Sequence, residues 1–242
     1  MIELPVMASP VDQLWHVLLD LSESLTIPWT LVGGQMVLLH ALEHGQVPPE
    51  PSQDGDVVAD LRADHGALAQ VVRQLETLGF ALESISTDGL AHRYARNAHP
   101  RSVLLDVLAP DGLGARADLT TSRPGRTIEV PGGTQALSRT ERVAISHEGR
   151  HGDVPRPTLL AAIIIKAAAT GLPSPARHYR DLALLCSLVP DPFALAEQLT
   201  AKDRQRLRQA GALADASHAA WPLVPTVIRS QGQITYAVLT GG

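Results

Sequence analysis

Apolar residues along this 242-residue chain switch between two spacings, and the switches mark out its elements. The stretch VDQLWHVLLDLSESL has the three-to-four-residue period of an amphipathic helix. Ser9 precedes it as a cap and Pro10 as its first helical residue, so a helix is expected to about Leu25. After Pro28 and Trp29, TLVGG reads as a strand; residues 35–44 return to helical spacing and Gly45 stops them. VPPEPSQ is a loop and VVADLRA a strand, and Asp64 caps a helix over HGALAQVVRQLETL that Gly79 ends. FALESIS, LAHRYARNA and RSVLLDVLA then alternate as three successive strands.

Between about residues 115 and 155 the signals are short strands and turns, in RTIEV, Pro131-Gly132-Gly133, RVAIS and HEGRHG. They suit a small β extension of the same domain. Beyond Pro155 and Pro157 the spacing becomes helical over 158–171, 175–188, 191–199 and 201–214, with Thr200 and Asp203 as a cap. The tail from Trp221 fits neither period. The expected fold class is α+β: an N-terminal mixed β-sheet domain with helices over residues 1–154, then a mainly helical C-terminal domain over 155–242.

Composition narrows the setting. Apolar residues make up 45% and aromatics only 3%, so Leu, Val, Ile and Ala must fill the core. The single cysteine, Cys186 in DLALLCSLV, reads as a small buried hydrophobe and cannot form an internal disulfide. With no signal-like segment in MIELPVMASP, this points to the cytoplasm. The most apolar window, LLAAIIIKAAATGL, is too short to cross a bilayer and carries Lys166, so no membrane role is expected. The net charge of −5 is unevenly spread. Residues 1–154 hold 11 Lys/Arg against 20 Asp/Glu, and residues 155–242 hold 9 against 5. An acidic first part suits metal binding, and a basic second part suits a polyanion such as RNA.

The candidate chemistry centres on Asp54-Gly55-Asp56. Acids at i and i+2 of a strand point to one face, and a hard cation such as Mg2+ relieves their repulsion. Asp106, flanked by apolar residues in SVLLDVLAP, completes a three-acid cluster if its strand lies beside VVADLRA; a strand-end acid facing solvent is the plainer alternative. Upstream, the Gly33-Gly34 turn before a helix lets backbone approach a phosphate. Ser52 offers a hydroxyl beside such a phosphate. Lys166 either snorkels from its apolar helix or reaches a triphosphate. In ARHYRDLALL, Arg177, His178 and Asp181 share a helix face, either as an ordinary salt bridge or with Asp181 orienting Lys166 or Arg177, or binding ribose.

Other sites have weaker claims. His92-Arg93 could lie near the acids but reads better as part of a solvated strand, and Arg204, Arg206 and Arg208 read as a solvated helix face that could meet RNA. There is no phosphate-binding G-x-x-x-x-G-K-S/T loop, no G-x-G-x-x-G and no G-x-S-x-G. The ten histidines are scattered without paired cysteines, which gives a structural zinc site no support.

The order of these features resembles the nucleotidyltransferase superfamily with a polymerase-β-like fold, which has a Gly-Gly or Gly-Ser turn, then D-x-D or D-x-E, then a third acid on a later strand. More narrowly, Ser52, Asp54, Asp56, Lys166 and Asp181 look like the pattern of the AbiEii-type toxins of type IV toxin–antitoxin and phage-defence systems. The resemblance covers about residues 25–190. It departs in its long Pro-rich loop before Asp54 and in Gly55, where an aliphatic or β-branched residue is usual. The resemblance implies an enzyme that moves a nucleotide from an NTP to an acceptor. Asp54, Asp56 and Asp106 would hold two Mg2+ ions. Gly33, Gly34, Ser52, Lys166 and Arg177 would contact the nucleotide, and Lys166 and Asp181 would join the acids in catalysis. It further implies a tRNA 3′ end as acceptor and an antitoxin protein as partner. Modification of a small molecule, as in antibiotic adenylylation, and an inactive nucleotide-binding module are the alternatives.

Overall fold

The computed structural model describes residues 1–48, 50, 52–98 and 101–241. The chain forms two compact units, Met1–Met36 with Ser52–Pro157, and Val37–Pro51 with Thr158–Gly242. The fold class is α+β.

The first unit runs β1 (Ile2–Glu3), α1 (Ser9–Ser24), β2 (Trp29–Val32), the first turn of α2 (Gly33–Glu43), β3 (Asp54–Ala59), α3 (Ala67–Thr77), β4 (Ala81–Leu82), β5 (Arg93–Arg96) and β6 (Val103–Pro110). It continues through β7 (Thr120–Ser122), β8 (Gly125–Arg126), β9 (Glu129–Val130), α4 (Gly133–Ser138), β10 (Thr140–His147) and β11 (Arg150–Pro157). The main sheet has the order β2-β3-β6-β5-β4, with β9 added alongside β6. It is mixed: β3 and β6 are parallel, while β2 and β5 run antiparallel to their neighbours. A second sheet has the order β1-β10-β11, and β7 pairs with β8. Helix α1 buries Leu14, Trp15, Val17, Leu18, Leu19 and Leu21, and packs on β3, β6 and β11. Apolar positions at helical spacing on α1 thus become the lid of the sheet's core.

Several local expectations shift. Ala8, not Ser9, is the N-cap of α1, because Pro10 falls in the first turn and sets helical φ one residue early. Asp12, in that first turn, accepts the Met7 N–H at 2.9 Å and places an acid at the positive end of the helix. Gly33-Gly34 begin α2 rather than ending a strand. Asp64 sits in the turn ahead of α3, accepting from Gly66 N and the Gln70 amide, while Gly66 is the cap. The FALESIS strand shrinks to β4, since Glu83 to Ser86 are exposed and no burial rewards their alternation. Within the VPPEPSQ loop, Pro49 and Pro51 lie outside the described residues.

The second unit holds the rest of α2 with α5 (Leu159–Ala169), α6 (Ala176–Ser187), α7 (Pro192–Glu197), α8 (Ala201–Gln209) and α9 (Thr226–Thr240). Strand β11 carries the chain through residue 154 to Pro157 before α5 begins. Nearly every residue of α5 is buried, as its unbroken apolar run requires. Thr200 and Asp203 form a reciprocal capping box on α8. The tail that fitted no period is helix α9, packed on α6, α7 and α8. No helix among the described residues is long and apolar enough to cross a membrane.

Candidate active site

Strand register assembles the acids. Asp56 on β3 is the direct partner of Asp106 on β6, and Asp54 precedes Asp56 by two residues on the same face. Both strands are central in the sheet, so neighbours on each side fix their direction. Asp106 is buried, while Asp54 and Asp56 are half-buried.

Gly55 points to the other face. A Cβ there would lie 2.9 Å from Leu14 Cδ1, so the missing side chain is the space that α1 fills. The residue that departs from the usual pattern is explained by packing behind the acids.

The glycine pair stands against the same strand. Val32 is the register partner of Asp56, so the chain leaves β2 beside that carboxylate and turns into α2. Gly33 has φ +68°, and a Cβ on it would fall 1.8 Å from Asp56 Oδ2. A Cβ on Gly34 would fall 2.3 Å from Ser52 Cβ. Both close approaches require glycine. Ser52 is fastened in turn: its hydroxyl donates to Asp54 Oδ1 at 2.5 Å, and its carbonyl accepts from the Gln35 amide at 2.8 Å. The start of α2, two acids and Ser52 are therefore one packed assembly.

Arg93 takes the less favoured of its two sequence readings. Rather than lying on a solvated strand, it is near the acids, as the register partner of Asp106 on β5, and shares its face. Its Nε and Nη2 each donate to Asp106 at 2.8 Å, and Nη2 also reaches Asp54 Oδ2 at 3.4 Å. The bond to Asp106, with Asp106, Asp54 and Glu83 as anionic neighbours, raises the guanidinium pKa further above its ordinary value. The β5–β6 register is what selects Asp106 as its partner. The all-oxygen donor set of Asp54, Asp56 and Asp106 fits a hard divalent cation, and Arg93 supplies compensating positive charge beside it.

Lys166, Arg177 and Asp181 belong to the second unit. Lys166 does not snorkel: it is buried on α5, and its Nζ donates to Asp181 Oδ2 on α6 at 2.7 Å. Arg177 is exposed on α6. His178, next to it, is buried. Cys186 is buried, and burial pushes its thiol pKa up. The arginines of α8 are not one solvated face either. Arg206 is buried, and Arg204 donates to the carbonyls of Ala196 and Leu239, leaving Arg208 exposed.

No family model and no curated protein matches the chain. Among solved structures, it is similar to the solution structure of the antibiotic-resistance factor ANT(2'')-Ia, at 17% identity and a TM-score of 0.39, with 97% of each chain covered. That likeness is loose.

Proposed function

We propose that this chain is a metal-dependent nucleotidyltransferase that moves a nucleoside monophosphate from an NTP to an acceptor hydroxyl. The observation that carries this reading is the Asp56–Asp106 register pair, with Asp54 on the same face and Gly33 packed on Asp56 at the head of α2. Carboxylates gathered beside a helix N-terminus suit a cation and the phosphates it binds.

In this reading Asp54, Asp56 and Asp106 hold two Mg2+ ions, which when bound polarise the α-phosphate and ease ionisation of the acceptor hydroxyl. The N–H groups at the start of α2 receive phosphate oxygens. Ser52 orients Asp54 through its hydroxyl. Arg93 binds the Asp106 oxygens that would hold a cation, and its planar fork equally suits phosphate, so it could pass from Asp106 to a bound nucleotide. Asp106, once released, accepts the hydroxyl proton. In the second unit, Asp181 holds Lys166 as a fixed cation. Lys166 and Arg177 are the positions at which substitution tests a role in phosphate binding.

The acceptor in this reading is a tRNA 3′ end, and the biological role is a toxin restrained by an antitoxin protein. The support is the order Ser52, Asp54, Asp56, Lys166, Asp181 and the basic balance beyond residue 155. A small-molecule acceptor is favoured instead by the acid excess of residues 1–154, which suits a cationic substrate.

The test is incubation with Mg2+, each labelled NTP, and either tRNA or a panel of small polar acceptors. Label entering tRNA, and lost in Asp56→Ala, supports the leading reading. Label entering only a small acceptor selects the second. Full transfer by Asp56→Ala rejects the site, and absence of both transfer and Mg2+-NTP binding rejects the enzyme.

A further inference from the structure

Two of the scattered histidines meet in space. His16 on α1, His147 at the end of β10 and Glu148 in the β10–β11 turn bring one ligand atom each within 4.8 Å of one another. All three lie in the first unit. We propose that they form a second metal site, selective for a borderline divalent cation such as Zn2+ and separate from the three-acid cluster.

The buried member of the group points to a ligand. The His147 side chain is 0% exposed, and among the described residues neither ring nitrogen makes a hydrogen bond, Asp12 being the ion-pair neighbour of Nε2. A buried imidazole left in that state is costly, and an imidazole lone pair bound to a cation removes the cost. Its nearest acid is Asp12, whose Oδ1 is 3.4 Å from His147 Nε2. Asp12 is already fixed by the Met7 N–H, and it can hold the ring as a carboxylate does behind a metal-bound histidine.

The spacing of the other two members suits coordination. His16 Nε2 and Glu148 Oε2 are 2.9 Å apart. Metal–ligand bonds of about 2.0–2.1 Å at a tetrahedral angle put ligand atoms roughly 3.3 Å apart, so a small opening admits the ion. The rings of His16 and His147 lie 5.2 Å apart and tilted, which lets both present nitrogen to one point. Glu148 is aimed by its left-handed backbone, φ +47°, in the two-residue turn with Gly149.

The charge balance is favourable. Arg150 is held by Asp20 and Glu23, while Glu148 pairs with His16 and Asp12 lies beside His147. His16 and Glu148 are partly exposed, which gives the ion a route in and leaves a position for water. Two imidazoles and a carboxylate favour Zn2+, Co2+ or Ni2+ over Mg2+. Bound metal would join α1 to the β10–β11 hairpin.

The experiment uses the full chain carrying Asp54→Asn and Asp56→Asn, so that the three-acid cluster does not report. Calorimetric titration with Zn2+ is expected to give one ion per chain, with a raised melting temperature, undiminished by millimolar Mg2+. Co2+ is expected to give visible absorption bands of a tetrahedral or five-coordinate centre. Adding His16→Gln or Glu148→Gln, both at partly exposed positions, is expected to weaken Zn2+ binding by about tenfold or more. No Zn2+ binding, displacement by Mg2+, or unchanged affinity in either variant overturns the site. None of these readouts depends on nucleotidyl transfer.

Discussion

Arg93 donates to both carboxylate oxygens of Asp106, each at 2.8 Å, while its Nη2 also reaches Asp54. One guanidinium thus binds the two acids that a metal would bring together. Replacing it leaves those anions uncompensated. Arg93→Met is expected to lose about 1–3 kcal/mol of stability in chelator, less than for a fully buried pair because Arg93 is partly exposed. Mg2+ should then raise the melting temperature of the variant more than that of the parent. Equal Mg2+ shifts in the two proteins would show that Arg93 and the cation do not compete.

Gly33 has no room for a side chain. A Cβ would overlap Asp56 Oδ2, and the left-handed φ adds backbone strain. Gly33→Ala is expected to cost about 1–2 kcal/mol and to displace Asp56, with transfer falling by about a hundredfold. Melting curves and steady-state rates on the same preparation separate the two effects. Unimpaired transfer would mean that Asp56 need not stay where Gly33 holds it.

Gly55 and Leu14 are coupled across the back of β3. Gly55→Val should overpack the site by about 1–3 kcal/mol, and Leu14→Ala should leave a cavity costing about 2–5 kcal/mol. The double variant should be more stable than the sum predicts, by more than about 0.5 kcal/mol, because the valine fills space the leucine vacates. Strict additivity in urea unfolding would remove the packing explanation for Gly55.

His178 makes stability depend on pH. Burial, followed by the cations of Lys166 and Arg177, lowers its pKa from 6.5 to about 4. The unfolded chain therefore binds more protons than the folded one between those values. Stability should be full above about pH 6.5 and fall as the pH drops towards 4, at no more than about 1.4 kcal/mol per pH unit from this group. His178→Gln should lose less between pH 7 and pH 5 than the parent does. Denaturant unfolding at the two pH values decides it, and parallel losses would assign the pH dependence to other groups.

Element order was legible because periodicity is a local property: α1, α3, α5 and the acids of β3 all announce themselves within a dozen residues. Contacts set by register were not. Arg93 meets Asp106 only once β5 is aligned with β6, and His16 meets His147 across 130 intervening positions. The tail was illegible for a different reason. Thr226, Val227, Ile228, Ile234 and Thr235 are β-branched and argue locally for a strand. Tertiary burial overrides them: Tyr236 is inside, with its hydroxyl donating to the carbonyls of Leu207 and Ala210. Gly55 looked like a weakness because its partner, Leu14, lies on a helix far away in sequence.

The assignment of Val37–Pro51 to the second unit bears on any attempt to take the protein apart. A single cut after Pro157 would leave each fragment missing or carrying a piece that belongs to the other. Expressing residues 158–242 alone would strip that unit of most of α2, and residues 1–157 alone would leave the apolar side chains Val37, Leu38, Leu39 and Ala41 without their covering. Separable halves would require a rewired chain, with residues 37–51 moved to the front of the second piece and a short bridge closing Met36 to Ser52.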